Sequence, residues 1–116
     1  MAADALVDTD VLIDHLRGVR KLDVAGERLH YSTITRAELF AGPEREEQAV
    51  RSLLAPFREI EVSRPIAEAA GRIKRRLGVA MPDALIAATA LAEGLELFTR
   101  NQRDFAQIEG LHLRES

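Results

Sequence analysis

The sequence predicts an α/β fold with a mostly parallel central sheet flanked by helices, and three observations carry that prediction. Short apolar runs alternate with helically spaced ones along the chain, the first run ends in an acid at the start of a helix, and glycine or proline marks most junctions. The chain has 116 residues, 47% of them hydrophobic, with no linker-like, low-complexity or repeated stretch, so residues 1–116 are expected to form a single domain.

Residues 5–8 are a short apolar run closed by Asp8, which reads as a strand. In residues 9–18 the apolar positions Leu12, Ile13 and Leu16 recur with helical spacing, and Gly18 ends the segment. Residues 29–32 suit a second strand, after which Ser32 or Thr33 caps a helix through Ile34, Ala37, Leu39 and Phe40 that Gly42 and Pro43 stop. Residues 44–56 read as a charged helix carrying Ala49, Val50, Leu53 and Leu54, and residues 60–62 as a strand. Pro65 opens a helix that runs to Leu77 before Gly78, and Pro82 opens another that runs to Glu93 before Gly94. A strand over 95–99, a short helical or turn segment over 101–108 and a last strand over 111–113 complete the series. Sheets of this kind bind ligands outside the carboxyl ends of their strands.

Composition narrows the function. The absence of cysteine excludes thiolate zinc sites, iron-sulfur clusters and thiol catalysis. Acids stand at the N-terminus where a signal peptide carries a basic region, and the longest uncharged run, residues 84–92, is far too short to span a bilayer, so a cytoplasmic protein without membrane contact is expected. A net charge of -3 argues against a broad basic face that grips nucleic acid, although it permits local contacts. There is no GxxxxGK phosphate loop and no recognisable Ser/His/Asp nucleophile arrangement.

The informative residues are acids beside probable core. Asp8 closes the first strand, Glu38 lies in an otherwise apolar stretch, Asp83 starts an almost uniformly apolar helix and Asp104 follows the strand at 95–99. A parallel sheet would bring these elements to one edge. Two carboxylates about 4 Å apart repel by roughly 4 kcal/mol at an effective dielectric near 20, so such a cluster calls for a cation or a proton. An all-oxygen donor set suits Mg²⁺ or Mn²⁺, and His15, His30 and His112 have no spacing that recruits zinc. Each acid also has a plain structural reading: Asp83 complements a helix dipole, Asp8 caps a helix, Glu38 decorates a helix surface, and Asn101 and Asp104 satisfy a turn. The basic run Arg72, Lys74, Arg75 and Arg76 reads as a solvated helix end, and the Leu12, Ile13 and Leu16 stripe as core before partner groove.

In order, LVDTDVLID (6–14), STITRAELFAG (32–42), MPDALIAATALAEGLELFTRNQRDF (81–105) and IEGLHL (108–113) resemble the PIN-domain ribonucleases, specifically the VapC-type toxins of bacterial toxin-antitoxin modules. The resemblance spans nearly the whole chain and rests on the ordered combination. It implies a PIN-like fold and a metal-dependent endoribonuclease that hydrolyses RNA phosphodiester bonds to inhibit translation and growth. It places Asp8, Glu38, Asp83 and Asp104 at the family's acidic positions, where all four are expected to serve one or two Mg²⁺ or Mn²⁺ ions: Asp8 and Asp83 as direct ligands, Glu38 and Asp104 through metal-bound waters or by orienting the attacking water. Thr9, Asp10, Thr99 and Asn101 are the implied supporting polar residues. Asp10 departs from the Asn or Ser common there, the fourth acid can stand at either end of the Asn101–Asp104 segment, and residues 18–28 are fewer than in many relatives.

The resemblance further implies a homodimer and a VapB-type antitoxin that blocks the site, with operator DNA bound only through that antitoxin. Leu12, Leu16, Leu39 and Phe40 are the expected antitoxin contacts, and Arg36 and Arg100 the expected RNA contacts. Two other readings stand beside it. Asp8-Thr9-Asp10 after a strand superficially matches the nucleophile loop of haloacid-dehalogenase-like phosphatases, although that chemistry needs a placed lysine and only Lys21 and Lys74 are present. The other is a PIN-like scaffold that binds partners without turnover.

Overall fold

The structure, a computed structural model, describes residues 4–22 and 28–114. Residues 1–3 of the acidic N-terminus, 23–27 of the short 18–28 stretch, and 115–116 lie outside the described residues. The elements run β1 (Ala5–Val7), α1 (Thr9–Leu16), β2 (Leu29–Ser32), α2 (Thr33–Phe40), a 3-10 turn (Glu44–Glu46), α3 (Glu47–Leu54), β3 (Arg58–Ile60), α4 (Arg64–Leu77), α5 (Met81–Glu93), β4 (Glu96–Phe98), α6 (Gln102–Ala106) and β5 (Leu113–Arg114).

The five strands form one sheet in the order β3-β2-β1-β4-β5, and every pair is parallel. The chain starts at the centre, builds outward through β2 and β3, then returns to lay β4 on the other side of β1. That reversal between β1 and β4 leaves a crevice outside their carboxyl ends, because the connections depart from it in opposite directions.

Alternation along β1 divides the core. Ala5 and Val7 face one side with Val11, Leu12, Leu29, Tyr31, Leu39, Val50 and Leu54, whereas Leu6 faces the other with Ile86, Ala87, Ala90, Leu97, Phe105 and Ile108. Both faces of the central strand are therefore covered, as an all-parallel sheet requires. Helix α5 is apolar all round because it is an inner helix: Ile86, Ala87 and Ala90 pack towards the sheet, and Ala84 and Ala88 pack with Ile66 and Ala70 of α4. Alanine at these positions permits close approach on both sides. Gly78 and Gly94 end α4 and α5 at φ 74° and 65°, a left-handed conformation that glycine adopts without a Cβ penalty.

Three boundaries differ from the sequence expectation. The third strand is Arg58–Ile60 rather than 60–62, paired through His30↔Arg58, Tyr31↔Glu59 and Ser32↔Ile60. An edge strand tolerates exposed charge, so the ladder sets its position while Ile60 and Val62 are drawn to the packing beneath α4. The segment over 44–56 starts as a 3-10 turn and its α-helix ends at Leu54. The last strand is Leu113–Arg114 rather than 111–113, in register with Leu97 and Phe98.

The Leu12 stripe resolves as core. Leu12 is fully buried and Leu39 nearly so, which removes both from the expected antitoxin contacts, while Leu16 and Phe40 are half-buried at the margin of the same cluster. Leu12→Ala is expected to cost about 2–5 kcal/mol in urea unfolding, the range for an emptied core site. A side chain that served only a partner would cost almost nothing.

Candidate active site

The crevice at the β1/β4 reversal is where three of the four expected acids, Asp8, Glu38 and Asp83, meet. Asp8, Thr9, Asp10, Ile13, Glu38, Asp83 and Asn101 line one cleft of about 230 Å³. Each arrives for a local reason. Asp8 follows β1 and N-caps α1, and its backbone N–H donates to the Phe98 carbonyl, 2.9 Å, which ties it to β4. Asp83 lies in the first turn of α5 after Pro82, and Glu38 is carried by α2, which Ser32 caps by accepting from the Ile34 N–H.

Asp8 is the most enclosed of the acids, 5% exposed. Its Oδ1 accepts from the Thr9 N–H at 2.8 Å and its Oδ2 accepts from the Thr99 hydroxyl at 2.8 Å. Burial nonetheless pushes its carboxyl up to about 7, reinforced by the charges of Asp10 and Asp83 and only partly opposed by those two hydrogen bonds. Asp83 is also raised, by desolvation first and then by Asp104, Glu38 and Asp10. Asp10 is raised by burial, against hydrogen bonds from the backbone of Arg100 and Val11 and the Arg100 charge. Its Oδ1 is buried without a hydrogen-bond partner.

Thr99 organises this centre. Fully buried at the end of β4, it donates to Asp8 and accepts from the Asn101 N–H at 3.0 Å. Thr99→Val is expected to raise the Asp8 carboxyl further and to destabilise the protein by about 1.5–3 kcal/mol at pH 8, the cost of a lost bond to a charged group. At pH 5, where Asp8 is protonated, the loss in urea unfolding is expected to be smaller.

Asp104 sits apart, exposed on the first turn of α6. Asn101 caps that helix, with its Oδ1 accepting from the Asp104 N–H at 3.4 Å and its Nδ2 donating to Asp104 Oδ2 at 3.0 Å. The capping reading of this pair is therefore realised, and the Asp104 charge still reaches Asp83. Glu38 is exposed but fixed: the Thr9 hydroxyl donates to its Oε1 at 2.7 Å.

The two expected RNA contacts are engaged elsewhere. Arg100 is ion-paired with Asp14 at 3.0 Å and stands beside Asp10, so it offsets charge within the protein. Arg36 donates to Glu59 and to the Tyr31 hydroxyl, each at 2.7 Å, and its guanidinium lies over Tyr31 and Phe40. Both arginines are thus partly committed to contacts within the protein, Arg36 through Nε and Nη2 and Arg100 through Nε. Sequence reasoning missed Asp14, the partner of Arg100, and Thr35, whose buried hydroxyl lies 2.9 Å from that of Thr9. Thr35 stands three residues before Glu38, a spacing that shares a helix face and was the available signal.

The residues suit a hard cation. Carboxylates held together with raised proton affinity, and one buried oxygen lacking any donor, are relieved by a positive charge. Among the described residues no three His, Asp or Glu side chains are gathered to ligate one ion unaided. Mg²⁺ in general keeps several waters and takes only one or two carboxylates. The phosphatase reading loses its lysine: no lysine lines the cleft, and Lys74 donates to the Val79 carbonyl on α4's far end.

Comparison with known proteins agrees with this architecture. The PIN domain family matches residues 5–111. Ribonuclease VapC10 from Mycobacterium tuberculosis is 40% identical over 91% of this chain and 89% of its own length, and Ribonuclease VapC19 from the same organism is 34% identical over 91% and 95%. A toxin-antitoxin complex from Klebsiella pneumoniae contains a chain 38% identical, with a TM-score of 0.80 and 92% and 94% of the two chains covered. The DNA-bound VapBC structure from Salmonella typhimurium matches at 25% identity with a TM-score of 0.84, covering 99% and 98%. Among the described residues no helix is long and apolar enough to cross a membrane. With its all-parallel sheet, its acids at the β1/β4 reversal and a family match over almost its whole length, this chain belongs to the PIN domain family, in its VapC branch.

Proposed function

We propose that the protein is a divalent-cation-dependent endoribonuclease acting as the toxin of a toxin-antitoxin pair. The observation that carries this reading is the single cleft in which Asp8, Asp10, Glu38 and Asp83 meet with raised proton affinity at Asp8, Asp10 and Asp83. The 40% identical relative named as a ribonuclease supports the substrate class.

Asp8 and Asp83 are the residues that would hold the ion, and Asp10 adds charge from the same side. When bound, Mg²⁺ or Mn²⁺ supplies Lewis acidity toward the phosphodiester and acidifies water. The protein's own residues fix the geometry. Thr99 and the Thr9 N–H orient Asp8, so both its oxygens are set before RNA arrives. Glu38, held by Thr9, presents a second oxygen that can orient an attacking water or accept its proton. Asn101 holds Asp104 at the rim, where it faces Asp83. Arg100 limits the repulsion that Asp10 adds.

The partner belongs to the same proposal. The 38% identical chain from a toxin-antitoxin complex supports a VapB-type antitoxin, and Ile13, which lines the cleft, with Leu16 and Phe40, half-buried against the same apolar cluster, are the side chains that it would reach. The purified chain, incubated with total cellular RNA and Mg²⁺ or Mn²⁺, is expected to yield discrete products that vanish on addition of EDTA. Products that persist undiminished in EDTA would refute the metal-dependent reading.

A further inference from the structure

Thr35 is a fully buried polar side chain inside the core that α1 and α2 share, and it does not itself line the cleft. Its hydroxyl lies 2.9 Å from the Thr9 hydroxyl, which in turn lies 2.7 Å from Glu38 Oε1. The proton count fixes the direction of this chain. An ionised carboxylate only accepts, so the single Thr9 proton goes to Glu38, and the Thr9 oxygen is left to accept from Thr35. Each bond polarises the next, and the terminal one is charge-assisted.

We propose that Thr35 is a positioning residue for Glu38, acting through Thr9 from inside the core. The inference rests on the ribonuclease reading of the cleft and extends it to a residue that touches neither RNA nor ion. Glu38 is exposed and would otherwise sample many rotamers. The relay holds one of its oxygens against α1 and leaves the other for the reaction. It also couples two helices that begin on different strands, α1 after β1 and α2 after β2, so that a single hydroxyl sets the distance between the Asp8 and Glu38 carboxylates.

The test is a kinetic comparison of wild type, Thr35→Val, Thr35→Ser and Glu38→Gln on one RNA substrate in Mn²⁺, with thermal unfolding of each variant. Thr35→Val removes the hydroxyl at nearly constant volume and is expected to lower kcat about tenfold with KM unchanged, the scale of a lost outer partner to a site residue. Thr35→Ser restores the hydroxyl and most of the rate. Thr35→Val added to Glu38→Gln is expected to change kcat no further, because the residue through which it acts is already disabled. The inference is overturned if Thr35→Val cleaves like wild type, if Thr35→Ser is as impaired as Thr35→Val, or if the double variant loses the product of the two single losses. Wild type without cleavage in Mn²⁺ would instead overturn the ribonuclease reading, and the inference with it.

Discussion

Asp8→Asn is expected to make the metal-free protein more stable at pH 8 while destroying its activity. The folded-state carboxyl is raised to about 7 from an ordinary 3.8. Below pH 3.8 both folded and unfolded chains carry the proton. Between 3.8 and about 7 the folded chain keeps a proton that the unfolded chain has lost, so stability falls as pH rises through that window. Above it the whole cost of the buried charge is present, at most of order 4 kcal/mol. Asparagine carries no charge, so urea unfolding of Asp8→Asn should show a nearly flat pH profile where wild type declines. The gain is expected to be a few kcal/mol at pH 8 and close to zero at pH 4. Wild type should recover its deficit when Mn²⁺ is added, because an ion that binds only the folded chain stabilises it by mass action, and Asp8→Asn should not. Equal pH slopes in the two proteins would contradict the account of Asp8.

Asp83→Asn is expected to reduce cleavage by about 100-fold or more, beyond the 10–100-fold typical of outer partners, because it removes the charge and one of the two oxygens of a residue proposed to hold the ion directly. The fold should be unaffected: Asp83 is in the first turn of α5, half-exposed, while the helix is held by Ala84, Ile86, Ala87, Ala88 and Ala90. The variant should melt at or above the wild-type temperature without metal, since its carboxyl is raised by desolvation and by three neighbouring acids. Loss of activity without loss of stability separates a site residue from a structural one. Single-turnover cleavage and thermal unfolding on the same preparations measure both.

How much of this was legible in the sequence depends on what sets each feature. Helix starts and stops at Ser32, Pro65, Gly78 and Gly94 are written locally, in capping side chains and backbone freedom, and these were readable. The convergence of Asp8, Glu38 and Asp83 followed from one premise, that the sheet is parallel, which the alternation of strands and helices supplied. The third strand was displaced because its position is fixed by pairing with His30, Tyr31 and Ser32 rather than by its own apolar residues. The intramolecular contacts of Arg36 and Arg100 were hidden for a related reason. Their partners Glu59 and Asp14 are distant in sequence or on another element, and a free arginine looks the same in sequence as a paired one. Leu12 shows the limit of a helical stripe, which reads alike whether the face meets a core or a partner; its full burial decides for the core. The Thr35 hydroxyl is invisible to any motif of charged residues, because its contribution lies in a contact with Thr9, 26 positions away.

The central claim is that the acids at the β1/β4 reversal act together as one cation site. Titration of the metal-free protein with Mn²⁺ at pH 7, by calorimetry in two buffers of different ionisation enthalpy, tests it most directly. The account predicts saturable binding with release of roughly half a proton at Asp8 alone, since a carboxyl near its midpoint must ionise to bind a metal. Asp8→Asn and Asp83→Asn should each abolish or greatly weaken that binding. Saturable binding of wild-type strength in both variants, or none in wild type, would contradict it.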